Sequence, residues 1–179
     1  MERHGLLLVS VPRALGAPRY EIRRFVFYDT MIAFALGTPS FVQYDTSDYP
    51  IIPVTVRPLE WVHGIPEELI VNLVQVNSWR ASNPGIPNMN DWAELELRAL
   101  AWIPRTMELV GEDSYEDSYE VVARMAAQET WRHAVLIYVY MVRAFSLSRN
   151  REAHWLNAMH RACVWLTLKI VEFSTRYDR

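Results

Sequence analysis

Ala134-Val-Leu-Ile-Tyr-Val-Tyr-Met-Val142 is the longest apolar run in the chain, and its reading decides the fold. Arg132 and His133 precede it and Arg143 follows it, all within a longer stretch of helical pattern. A bilayer-crossing helix takes about 20 apolar residues, so this run is too short to span. It reads as a helix buried on nearly all sides within an all-helical protein. No catalytic motif lies on it or beside it.

The rest of the chain follows outward from that run. It belongs to a helix expected over about 117–145, joined by a short turn near 146–150 to a last helix over about 151–175. Asn150 can cap that last helix, whose stripe is Trp155, Met159, Ala162, Cys163, Leu166, Ile170 and Phe173. So short a connection predicts an antiparallel helical hairpin. Upstream, residues 105–116 form an acid-rich connector. Asp91 followed by Glu94 is a capping-box-like pair opening a helix with Trp92, Leu95, Ala99 and Trp102 on one face, ending at Pro104. Asn83-Pro-Gly-Ile-Pro87 is a plain break. Before it, a helix starts at Pro66, with Glu67 and Glu68 at the positive end of its dipole and Leu69, Ile70, Leu73, Val76 and Trp79 on its inner face.

Prolines 39, 50, 53 and 58 make residues 37–60 an ordered extended loop. A β-hairpin is the alternative there, but the prolines argue against central strands. The first helix is expected over Tyr20 to Leu36, because Phe25, Tyr28, Ile32 and Leu36 fall at helical spacing and Gly37 with Pro39 stops it. Residues 1–19 read as an irregular N-terminal segment broken by Pro12, Gly16 and Pro18. Its apolar stretch, Leu6 to Val11, is shorter than a secretion signal needs. The fold class is therefore all-α: a bundle of about five main helices with a long proline-rich loop after the first. Residues 20–179 form one helical domain, with the option that it is incomplete because its last helix runs almost to Arg179.

Composition narrows the function classes. The 179 residues suit one domain with a sizeable core, and 51% hydrophobic against 22% charged residues describes a globular chain. A net charge of −3 argues against a surface built to neutralise phosphates. The single cysteine, Cys163, excludes an internal disulfide and a cysteine-cluster metal site, and fits a reducing intracellular compartment.

No catalytic, cofactor-binding or metal-ligating residue is nominated. His154 and His160 are six apart and leave a helix on different sides, whereas a two-histidine zinc site needs a spacing of four. Glu129 and His133 stand one turn apart but read as an ordinary helical pair. There is no Gly-x-Ser-x-Gly elbow, and the 6 glycines do not cluster into a phosphate loop. The acidic neighbours Asp113, Glu116 and Asp117 read as solvated connector. Arg3, Arg13, Arg19, Arg23 and Arg24 lean the N-terminal part positive, and with Tyr20, Phe25 and Phe27 nearby a phosphate contact is the alternative, but Arg23 and Arg24 read as the solvent edge of the first helix.

Three stretches together resemble the regulatory domain of fungal zinc-cluster transcription factors. The first is Arg24-Phe-Val-Phe-Tyr-Asp29 leading to Ala35-Leu-Gly-Thr-Pro39. The second is Trp61-Val-His-Gly-Ile-Pro-Glu-Glu-Leu69. The third is Ala127-Gln-Glu-Thr-Trp-Arg-His-Ala-Val-Leu-Ile-Tyr138. The resemblance spans about 20–173. It implies an all-helical, non-enzymatic regulatory module in the nucleus, or in the cytoplasm if the chain is a stand-alone fragment. No cofactor is implied. Protein partners or a small-molecule effector are expected, a homodimer is an option, and neither direct nucleic-acid contact nor a membrane is expected. The family's DNA-binding cluster needs six cysteines, so this chain lacks it. Asp29, Gly64, Pro66, Glu129, Trp131 and Arg132 match family positions and are expected to be structural, with Asp29 or Glu129 paired to a buried arginine such as Arg132. The alternative function is a small-molecule-binding or enzymatic helical protein with an aromatic-lined cavity.

Overall fold

The computed structural model describes residues 8–47, 58–81, 89–104 and 118–147. The expected last helix over 151–175, the connector over 105–116, the break at 83–87, Cys163, His154 and His160 lie outside the described residues. Among the described residues, helix dominates: α1 (Val11–Leu15), α2 (Tyr20–Leu36), α3 (Pro58–His63), α4 (Glu67–Ala81), α5 (Met89–Ala101) and α6 (Ser118–Leu147), with two short strands, β1 (Leu8–Ser10) and β2 (Gln43–Asp45). The architecture is the all-α bundle that the apolar run predicts.

α4 is the middle of the bundle. It packs on α2 on one side and on α6 on the other, and α5 lies against α6. Its predicted inner face is buried at Leu69, Ile70, Leu73 and Val76, but burial extends further, to Val71, Asn72, Val74 and Asn77. The run in α6 is buried at Ala134, Val135, Leu136, Tyr138, Val139, Met141 and Val142, whereas Tyr140 is exposed. α4 has no exposed residue from Glu67 to Arg80, whereas the apolar run of α6 has one at Tyr140. In α5, Trp92, Leu95, Ala99 and the following Trp102 face inward as expected.

Residues 8–15 are ordered, which corrects the irregular reading of the N-terminal segment. Pro12 sits in the first turn of α1, where its missing N–H would have had no helical partner, so it starts the helix and does not break one. β1 pairs in parallel with β2, with Leu8 opposite Gln43, Val9 opposite Tyr44 and Ser10 opposite Asp45. A parallel pair needs a crossover, and α1 and α2 supply it. The segment after α2 therefore carries a strand, β2, paired with the N-terminal segment, and Pro58 opens α3 by the same first-turn logic. Asp91 lies in the first turn of α5 (Met89–Ala101), where its negative charge favours the helix through the dipole.

Two glycines close helices in the left-handed conformation that a side chain disfavours. Gly37 ends α2 at φ 68°, its N–H donating to the Ala33 carbonyl at 3.1 Å. Gly64 ends α3 at φ 66°, its N–H donating to the Glu60 carbonyl at 2.9 Å.

Candidate interaction site

Of the six positions singled out in the sequence, Asp29, Gly64, Pro66 and Arg132 meet a neighbouring element or turn one into the next, while Glu129 bonds within α6 and Trp131 is buried. Asp29 is buried on α2, and its carboxylate accepts from the Phe41 N–H at 2.9 Å and the Tyr44 hydroxyl at 2.7 Å. That carboxylate fastens α2 to β2. Burial pushes the Tyr44 phenol well above its ordinary value, and the Asp29 carboxylate pushes it further, so Tyr44 remains a donor. The expected arginine partner for Asp29 is replaced by this pair of donors.

Gly64 and Pro66 make the corner from α3 into α4. The Pro66 carbonyl accepts from the Leu69 and Ile70 N–H groups at 3.0 and 3.2 Å, so it acts as the residue ahead of the first turn. Ala127 of α6 lies 3.5 Å from where a Gly64 side chain would begin. Next to it, Gln128 donates to the buried Glu60 carboxylate at 2.9 Å, tying α6 to α3. Trp131 is buried one turn further along.

Glu129 does pair with Arg132, through Nε at 2.9 Å and through Nη2. The Arg132 side chain retains 19% exposure, so the pair is half-solvated and not buried. Arg132 also reaches the Leu100 carbonyl at 3.4 Å, on α5. The guanidinium holds the Glu129 carboxyl below its ordinary range, and Arg132 is raised in return. With its carboxylate on Arg132, Glu129 offers His133 its backbone carbonyl, 2.9 Å from Nδ1. Among the described residues, no group of three or more His, Cys, Asp or Glu side chains is placed to hold a metal ion. No described helix is long and apolar enough to cross a membrane.

A polar network inside the core has no sequence signal. The Tyr138 hydroxyl donates to Asn77 Oδ1 at 2.7 Å, and Asn77 Nδ2 donates to the Thr30 carbonyl at 3.1 Å. Thr30 in turn donates to the Val26 carbonyl at 2.7 Å. Arg80 donates to the Ala33 and Thr38 carbonyls at 2.8 and 2.5 Å, closing the C-terminal end of α2, and lies 5.9 Å over the Tyr138 ring. Tyr138 also meets Phe34 edge-on at 4.8 Å. Three helices, α2, α4 and α6, are thereby held in one relative placement. The aromatic spacing read from the sequence is core packing here, as where Trp79 meets Trp92 edge-on at 4.7 Å.

The outward face of α2 is the surface that sequence reasoning did not place. Phe25, Tyr28, Ile32 and Leu36, whose spacing identifies the helix, are 49%, 42%, 41% and 67% exposed, and Ile22 adds 40%. The core side of α2 is a second apolar face, made by Val26, Phe27, Ala33 and Phe34. Phe41, anchored through its N–H beside the middle of α2, is 78% exposed. Arg24 borders the stripe, its guanidinium 5.4 Å from the Tyr28 ring centroid and 6.0 Å from that of Tyr20. His63 of α3 closes another border, stacked on Phe27 at 4.2 Å and edge-on to Tyr28 at 6.1 Å. Burial, and then the Arg24 charge, hold the His63 imidazole below its usual value. The arrangement can bind another apolar helix face.

No protein-family model, curated protein or solved structure matches the chain.

Proposed function

We propose that this chain is a non-enzymatic regulatory and interaction domain of a fungal transcription factor, without a zinc-cluster DNA-binding module of its own. It acts in the nucleus through protein contacts or effector binding. The observation that carries this reading is the apolar stripe on the outside of α2. Contiguous exposed apolar surface of this kind marks a contact site. The Asp29 carboxylate supports the same reading, since its bonds to Phe41 and Tyr44 fasten the following segment to α2.

The test is to attach the full chain to a zinc-cluster DNA-binding module and measure a reporter gene in a fungal cell. The expected result is a change in reporter output relative to the module alone, removed by Ile32→Arg. Output identical to that of the module alone contradicts the proposal.

A further inference from the structure

We propose that the outer face of α2 is a dimer surface, paired antiparallel with the same face of a second copy of this chain. The inference rests on reading that face as a contact site, and it names the occupant. Three observations carry it: area, composition and charge.

Ile22, Phe25, Tyr28, Ile32, Leu36 and Phe41 leave roughly 500–700 Å² uncovered per copy, taking an aromatic side chain as about 150–250 Å² in full. Monomers seldom show a patch above about 300–600 Å². Two such patches facing each other bury about 1,000–1,400 Å², which reaches the lower part of the range of stable specific interfaces. Other exposed apolar residues, Leu97 and Leu100 on α5 and Tyr140 on α6, lie among Glu96, Arg132 and Arg143, whose charges a dry interface would have to bury. From Phe25 to Leu36 no charged side chain of α2 is exposed, the one carboxylate there, Asp29, being buried and bound by Phe41 and Tyr44. A single straight apolar stripe is self-complementary, as a two-fold interface requires.

Charge sets the direction. The basic residues Arg19, Arg23 and Arg24 all stand at the N-terminal end of α2, and its last turn has none. A parallel pair would set these arginines against each other. An antiparallel pair sets Arg24 beside the partner's C-terminal last turn, where the helix dipole favours a cation. It also brings Glu21, exposed in the first turn, to the end that Arg80 closes. With the two-fold axis beside Tyr28, Ile22 faces the partner's Leu36 and Phe25 faces the partner's Ile32.

Sedimentation velocity of the full chain over the micromolar range reads the association, and disulfide capture in a Cys163→Ala background reads the geometry. The expected result is a dimer that Ile32→Arg and Tyr28→Glu each convert to monomer with unchanged far-ultraviolet circular dichroism. Tyr28→Cys should cross-link to itself. Leu36→Cys should not, because its two copies lie about 20 Å apart at 1.5 Å per residue, well beyond disulfide reach. Leu36→Cys mixed with Ile22→Cys should cross-link. A monomer at every concentration, a dimer that both substitutions leave intact, or self-cross-linking of Leu36→Cys overturns the proposal. A monomer whose reporter output still depends on Ile32 sinks the pairing alone. A dimer with no reporter output sinks the regulatory reading alone.

Discussion

Asn77 is the residue on which most of the polar core depends. Its amide serves the Tyr138 hydroxyl and the Thr30 carbonyl at once, deep between three helices. Asn77→Ala removes a hydrogen bond from the Tyr138 hydroxyl and one from the Thr30 carbonyl, and is expected to cost about 1–3 kcal/mol, the scale of buried polar groups losing a partner; urea unfolding checks it. His63 gives the pH prediction. Its folded-state value is depressed, so the unfolded chain binds the proton first as pH falls. The stability it contributes is present above the unfolded value near 6.5 and declines below it. Melting temperature should therefore drop between about pH 7 and 5, and His63→Phe, which keeps the stack on Phe27, should flatten that drop. An unchanged slope in the variant removes His63 as the cause. Neither residue carried a signal in the sequence: Asn77 is a polar position on an otherwise apolar helix, and its partners lie 47 and 61 residues away.

At the scale of elements, the long helices were legible because helical period and breakers determine them locally. α2 stops at Leu36, ahead of Gly37, as the sequence reading expects. What period could not supply was the side of α2 that faces in. Both Phe25-Tyr28-Ile32-Leu36 and Val26-Phe27-Ala33-Phe34 are apolar, and only long-range contacts with α4 choose between them. The short elements were missed for a related reason. Pro12 and Pro58 read as breakers, yet each opens a helix at a position where a missing N–H carries no penalty. The β1–β2 pair joins residues 35 apart in the chain, and three-residue strands leave no pattern. The corner between α3 and α4 gives a prediction of its own. Gly64→Ala finds ordinary room beside Ala127 but must hold φ at +66°, so the expected loss is about 1–2 kcal/mol, from backbone and not from crowding. Gly64→Asn, which tolerates that conformation better, should lose less, and equal losses in the two variants would contradict the conformational cause.

Over the whole molecule, the described helices bury one continuous core and leave a second apolar surface on α2. The core follows from the fold class legible in the sequence. The outer stripe does not, since it required knowing which face of α2 is covered. Single residues tie the elements together: Asp29 fastens β2 to α2, Gly64 turns α3 into α4, and Arg132 reaches from α6 to α5. A change on the outer face should therefore spare stability, whereas a change on the inner face should not. Phe34→Ala is expected to cost about 3–5 kcal/mol as a buried aromatic truncation, against about 1 kcal/mol for Ile32→Ser, a half-covered side chain, both read by thermal or urea unfolding.

The most direct measurement is reporter output from the full chain on a zinc-cluster DNA-binding module, with Phe25 and Ile32 both changed to serine. Output should fall to that of the DNA-binding module alone. Output equal to that of the unsubstituted chain would show that the outer face of α2 does not carry the function.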